Sequence, residues 1–181
     1  MKTRVVVLSL SMVSIFSSGS LIASEPGDMY AGIQYSSGAY NEDGFDEVKP
    51  TMLVGKYGKY INSVFSMEGR LGLGLQDDSI KYFGTELTLD IDSLIGVYGI
   101  GNVNLNESSS VYGLIGFTRA EATVSASGFG SDSSSESGLS FGVGANLGVS
   151  DSVSLNLEYT QYLNKSDFDL SAIALGVTFG F

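Results

Sequence analysis

The chain contains no cysteine, no histidine and no tryptophan. Without cysteine there is no disulfide framework and no thiolate metal site, so stability has to come from burial and backbone pairing. Without histidine the usual general base of a serine- or cysteine-centred hydrolase is missing. Positive charge is scarce as well: nine Lys and Arg stand against twenty Asp and Glu, a formal net charge of −11, and such a surface repels nucleic acid. Past residue 24 no apolar run approaches eighteen residues, so no membrane-spanning helix is expected there.

What is present begins with "MKTRVVVLSLSMVSIFSSGSLIAS". Lys2 and Arg4 precede an apolar stretch from Val5 to Phe16 and then small residues, the order of a secretory signal peptide. The expected division is a signal peptide over 1–23, cleaved after Ala23 or Ser24, and one domain over 24–181. Removing the leader takes away two basic residues and no acidic one, leaving seven against twenty, a formal net charge of −13.

The domain alternates apolar and small or polar residues almost throughout, the period of an extended strand. The last stretch, "SAIALGVTFGF", sets Ile173, Leu175, Val177, Phe179 and Phe181 on one face and Ala172, Ala174, Gly176, Thr178 and Gly180 on the other. "MYAGIQY" sets Met29, Ala31, Ile33 and Tyr35 against Tyr30, Gly32 and Gln34, and "VFSMEGRLGLGL" sets Phe65, Met67, Leu71, Leu73 and Leu75 against Ser66, Glu68, Arg70, Gly72 and Gly74. In "LTLDIDSLIGVYGIGNV" the outward set is Leu87, Leu89, Ile91, Ile95, Val97 and Val103, opposite Asp90, Asp92, Gly96 and Tyr98, while Leu94 and Ile100 break the polarity. "VYGLIGFT", "GLSFGVGANLGV" and "VSLNLEYTQY" repeat the pattern, the last with Glu158 on the small face. An eighth strand lies in "KPTMLVGKYGKYI", about 51–61, where Met52 and Val54 compete with Leu53 and Tyr57 for the apolar face.

Short links such as "INS", "NLNESS" and "SDS" alternate with longer polar ones, which places the long connections, about 36–48, 76–86, 119–137 and 163–168, at one end. A face of Gly, Ser, Thr, Asn and Ala suits a narrow enclosed lumen, and strands of about ten residues cross a hydrocarbon layer when tilted by roughly 45°. In lipid a spanning sheet must close on itself to pair every backbone group. The fold expected is therefore all-β, a closed antiparallel eight-stranded up-and-down transmembrane barrel, with Tyr57, Tyr60 and Tyr159 joining the terminal phenylalanines in an interfacial aromatic girdle.

The terminal strand ending in Phe181 resembles the assembly signal of bacterial outer-membrane proteins. The stretch "SLIGVYGIGNVNLNESSSVYGLIGFTRAEA" resembles the middle of small opacity-type, OmpX/OmpA-like barrels, closely from about Asp90 to Glu121. The resemblance implies a bacterial outer-membrane location. It implies contact with outer-membrane lipid and lipopolysaccharide, and recognition of the last strand, Ile173 to Phe181, by the barrel assembly machinery. Such barrels commonly carry girdle tryptophans, which this chain lacks. The enzymes found among outer-membrane barrels resemble one another in depending on histidine, so this chain does not follow their pattern and no enzyme is expected.

Among motifs, "GLSFG" (Gly138 to Gly142) matches the G-x-S-x-G of a nucleophile elbow, but Ser140 falls within a strand rather than on a strand-to-helix turn. Asp90 and Asp92 share a face and could in principle work as a carboxylate pair; the structural reading is a charge-pairing role. Glu68, Arg70, Asp90, Asp92 and Glu158 are the candidate lumenal charge network, since a charge in a narrow barrel must be paired or hydrated. That network either plugs the lumen or lines a narrow, weakly cation-selective diffusion channel. The acidic run "NEDGFDE" lacks the spacing of a calcium loop, so no metal or cofactor is expected. Function then falls to a structural or surface-interaction role of the long connections, with the channel as the alternative.

Overall fold

The computed structural model describes residues 25–42, 50–76, 78–82, 85–126, 130–164 and 168–181. The segment read as a signal peptide and most of the acidic run "NEDGFDE" lie outside the described residues.

Nine strands follow in chain order: β1 (Met29–Glu42), β2 (Thr51–Tyr60), β3 (Phe65–Gln76), β4 (Asp78–Tyr82), β5 (Thr85–Asn104), β6 (Ser109–Ala126), β7 (Gly130–Ser150), β8 (Val153–Asn164) and β9 (Phe168–Gly180). They form one antiparallel sheet in the order β3-β2-β1-β9-β8-β7-β6-β5-β4, closed by β3 pairing with β5. β3 and then β4 run along the same edge of β5, so the ring has eight positions. β9 pairs with β1 from Tyr30↔Gly180 to Glu42↔Phe168, joining the two ends of the domain. Met29 and Phe181 exchange backbone hydrogen bonds of 3.0 and 2.9 Å there.

Three tight links mark one end. Asn62 Oδ1 accepts from the amides of Val64 and Phe65, and Asn106 Oδ1 from that of Ser108; the third link is Asp151–Ser152. In the first two, the asparagine side chain mimics a backbone turn and reverses the chain in few residues.

Alternation sorts the side chains as the hydrophobic pattern demands. The outward face is an apolar belt that includes Leu71, Phe117 and Leu175, each 64% exposed. Leaving one such side chain in water forgoes about 1.5–3 kcal/mol of burial, so a belt of them belongs in hydrocarbon. The inward face is closely filled. Tyr98 lies over Gly96 and Gly116, Tyr112 over Gly144 and Tyr30 over Gly58, so that each ring occupies the room a neighbouring side chain would need.

Three expectations are corrected. Ile91, assigned outward, is buried at 3% because a bulge between Ile91 and Ser93 makes Asp92 an extra residue and turns Ile91 inward; Leu87 and Leu89, also assigned outward, have side chains outside the described ones. Leu94 and Ile100 share the inward face of Gly96 and Tyr98, as their phase implies, and are lumenal although apolar. Tyr60, expected in the girdle, faces inward with its ring 5.3 Å from that of Tyr30; β2 turns Met52, Val54 and Lys56 inward and Leu53 and Tyr57 outward. Finally, 36–42 and much of 76–86 and 119–137 are strand, because β1, β4, β5, β6 and β7 stay paired well past the belt.

Candidate functional site

The lumen has three layers. At mid-height are the charges. Glu68 and Arg70 are two residues apart on β3 and therefore share its inward face. Glu158 is on β8, four places away in a ring of eight and so on the opposite wall. Arg70 spans the bore between them: its Nε donates to Glu68 Oε1 at 2.6 Å, and its two terminal nitrogens donate to Glu158 Oε1 and Oε2 at 2.5 and 2.9 Å. Tyr112 and Thr160 donate the remaining bonds to Glu158, at 2.7 and 2.8 Å. The guanidinium also sits 4.7 Å from the centre of the Tyr98 ring, a cation–π contact that suits its weakly hydrated plane.

Arg70 and Glu158 are each 1% exposed and Glu68 is 5% exposed. Charges so deeply buried are tolerable only with their hydrogen bonds complete, and the fork of Arg on a carboxylate that also accepts two hydroxyls meets that condition. Lys56, register partner of Arg70 on β2, is the second buried cation among the described residues. Two cations and two carboxylates leave the layer formally neutral.

Toward the long hairpins the lumen is apolar, filled by Met52, Val54, Ile91, Leu94, Leu163 and Leu170. Tyr98 Oη and Thr118 share a hydrogen bond of 2.5 Å, Thr118 and Ser140 one of 2.6 Å, and Ser140 donates to the Tyr162 carbonyl at 2.7 Å. Ser140 of "GLSFG" is therefore a structural hydroxyl within a strand. Toward the short turns lies a cavity of about 30 Å³ walled by Tyr30, Lys56, Tyr60, Glu68 and Asn102 among others.

Of the five charges singled out in sequence, Glu68, Arg70 and Glu158 meet. Asp92 does not: it is exposed at the bulge, where Thr123 donates to its carboxylate at 2.7 Å. Asp90 pairs with Thr123 in the β5–β6 ladder, and its side chain lies outside the described ones. Lys56, Tyr98 and Tyr112 were missed. Lys56 was hidden by the ambiguous phase of β2, and the tyrosines by being apolar in composition but polar in use. No group of three or more Asp, Glu, His or Cys that could hold a metal occurs among the described residues.

A family model described as the outer membrane protein β-barrel domain matches residues 8–181. Among solved structures, Ail, the attachment invasion locus protein of Yersinia pestis, is similar with a TM-score of 0.66 at 22% identity, over 86% of this chain and 99% of that one. Neisserial surface protein A follows with 0.62 at 17% identity, over 86% and 99%. The N-terminal barrel domain of Pseudomonas aeruginosa OprF has 0.59 at 12% identity, over 84% and 97%. At these identities the likeness speaks for the fold alone. A comparison with curated protein sequences finds no match.

Proposed function

Because the chain belongs to the outer membrane protein β-barrel domain family, we propose that it is a plugged outer-membrane scaffold whose protruding hairpins bind a partner at the cell surface. One observation carries this reading: β5, β6 and β7 have 20, 18 and 21 residues, whereas β2 has 10. At roughly 3.3 Å per residue and a tilt near 45°, the extra ten residues lift this part of the sheet about 23 Å past the belt. Barrels of this kind keep their short turns on the periplasmic side, so the protrusion points outward from the cell.

The protrusion has an open edge. The β7–β8 ladder begins at Phe141, leaving the β8-facing side of 130–135 without a strand neighbour among the described residues. A strand edge of this kind on a rigid sheet is suited to an extended segment of another protein, which adds as one more strand. Ser133, Ser134 and Ser135 are exposed there, so the edge is hydrophilic and the ladder itself supplies the affinity. By sequence, 76–92 and 119–137 together hold eight carboxylates against Lys81 and Arg119. That balance selects a neutral or cationic partner. A structure of Ail contains the heparin analogue sucrose octasulfate; here Arg119 is bound to Ser135 at 2.9 Å, and a sulfated polyanion would meet net repulsion.

Removing 121–135 and rejoining Ala120 to Glu136, which are register partners, by a two-residue turn should abolish partner binding by whole cells while leaving the barrel folded. Cell-adhesion or pull-down assays, with unboiled gel mobility as the folding control, check this; undiminished binding by a folded variant would refute the assignment to this hairpin.

In this scaffold the last strand also serves assembly. Phe181 closes the ring through Met29 and lies 6.3 Å from the outward ring of Tyr57. Replacing Phe181 with alanine should lower the amount inserted in outer membranes several-fold while hardly changing refolding into detergent. Equal loss in both settings would mean a stability role only.

A further inference from the structure

Six buried side-chain atoms on one wall of the lumen have no partner among the described residues: both amide atoms of Gln34 and of Asn156, and the hydroxyls of Ser36 and Thr178. They form one cluster. Gln34 and Asn156 are the register partners of Gly176 on either side, and a Cβ there would overlap Asn156 Oδ1 and fall 2.6 Å from Gln34 Cγ. Both amides therefore lie over that glycine. Thr178 is two residues nearer the short turns, and Ser36 is level with Ala174, whose other neighbour is Glu158. All four side chains belong to residues at most 5% exposed.

A buried polar atom left without any partner costs about 1–3 kcal/mol. Six of them would rival the whole stability of a domain, about 5–15 kcal/mol, so something must bind them. The chemistry of the cluster defines the occupant. It offers two amide N–H₂ groups, two amide carbonyls and two hydroxyls, so a cation would serve only the acceptors and an anion only the donors. A small molecule that both donates and accepts serves all of them, and Thr178 also lines the cavity of about 30 Å³ below, where roughly two waters fit at ~15 Å³ each.

We propose that ordered water enters from the short-turn end, runs along the β1–β9–β8 wall past Thr178 to Gln34, Asn156 and Ser36, and stops beneath Leu163 and Leu170. The lumen is then a one-ended hydrated site: the Arg70–Glu158 layer is in contact with solvent of the periplasmic side only. Protons and water exchange there, and no ion passes.

The test is water-to-protein magnetisation transfer by NMR on the isotopically labelled barrel in lipid nanodiscs. Transfer is expected to the side-chain amides of Gln34 and Asn156 and to Thr178, with none to the methyl groups of Leu163 and Leu170. In Gln34→Leu, transfer to Asn156 should fall several-fold. Dry amides in the folded wild-type chain would overturn the proposal, and equal transfer to the methyl groups of the apolar layer would overturn its one-ended form. Should the variant fail to fold, the wild-type spectrum alone decides between these results.

Discussion

Arg70→Met should destabilise the barrel by about 3–5 kcal/mol, the cost of leaving buried carboxylates without their cation. The side chain is 1% exposed and makes three charge-assisted hydrogen bonds to Glu68 and Glu158, and neutral water molecules that reach the layer cannot replace its charge. With no tryptophan for fluorescence, the readout is urea unfolding followed by far-UV circular dichroism and unboiled gel mobility. A second set of variants separates the net effect of the pair from the penalty of breaking it. Arg70→Met combined with Lys56→Met, Glu68→Gln and Glu158→Met should recover most of the loss, because a set of apolar and neutral groups of similar volume has no charge to desolvate. Loss of the same size in the quadruple variant would mean that the network contributes net stability beyond charge balance.

Gly116→Ala is expected to cost about 3 kcal/mol, at the upper end of ordinary overpacking. A Cβ at this position would overlap the Val97 carbonyl oxygen and fall 2.8 Å from Tyr98 Cα. Both are backbone, so the β5–β6 ladder itself would have to move, and the Tyr98 ring under Arg70 would move with it. Gly69 is the matched control. It faces outward, and a methyl group there would meet nothing within 4 Å. Alanine at Gly69 should be neutral or stabilising by about 0.5 kcal/mol, because it removes backbone freedom from the unfolded chain. The two substitutions are chemically identical, so the difference between their unfolding midpoints isolates the crowding of the lumen. Equal effects would refute the view that inward glycines exist to make room for the rings.

The barrel was legible in sequence for a specific reason. An outward apolar face opposed by Gly, Ser and Thr, repeated along the domain, has few solutions other than a closed sheet in lipid. Glu68, Arg70 and Glu158 were legible as a group because charges are rare on the inward faces, and closing the ring sets β3 opposite β8. Sites where one residue alters the phase were not legible. The bulge at Asp92 sends Ile91 inward, and nothing local in "DIDSL" marks it. In β2 two registers satisfy the apolar pattern equally, so neither Lys56 nor Tyr60 could be placed until pairing with β3 decided. The protruding strands were hidden by composition, since a serine-rich run reads as loop although its backbone pairs residue by residue with β6 from Ala126↔Gly130 inward. The orphaned amides of Gln34 and Asn156 are a property of three adjacent strands and had no signature in any one of them.

A closed lumen, with function on the outward hairpins, is open to single-channel recording of the chain from residue 24 onward, refolded and inserted in a planar bilayer, with insertion verified by gel mobility. The expected result is a silent bilayer, because the apolar layer of Met52, Val54, Leu94 and Leu163 and the Arg70–Glu158 bridge together obstruct the bore. Reproducible cation-selective steps from folded protein, altered by Arg70→Met, would contradict it and make the charge layer the constriction of a narrow channel.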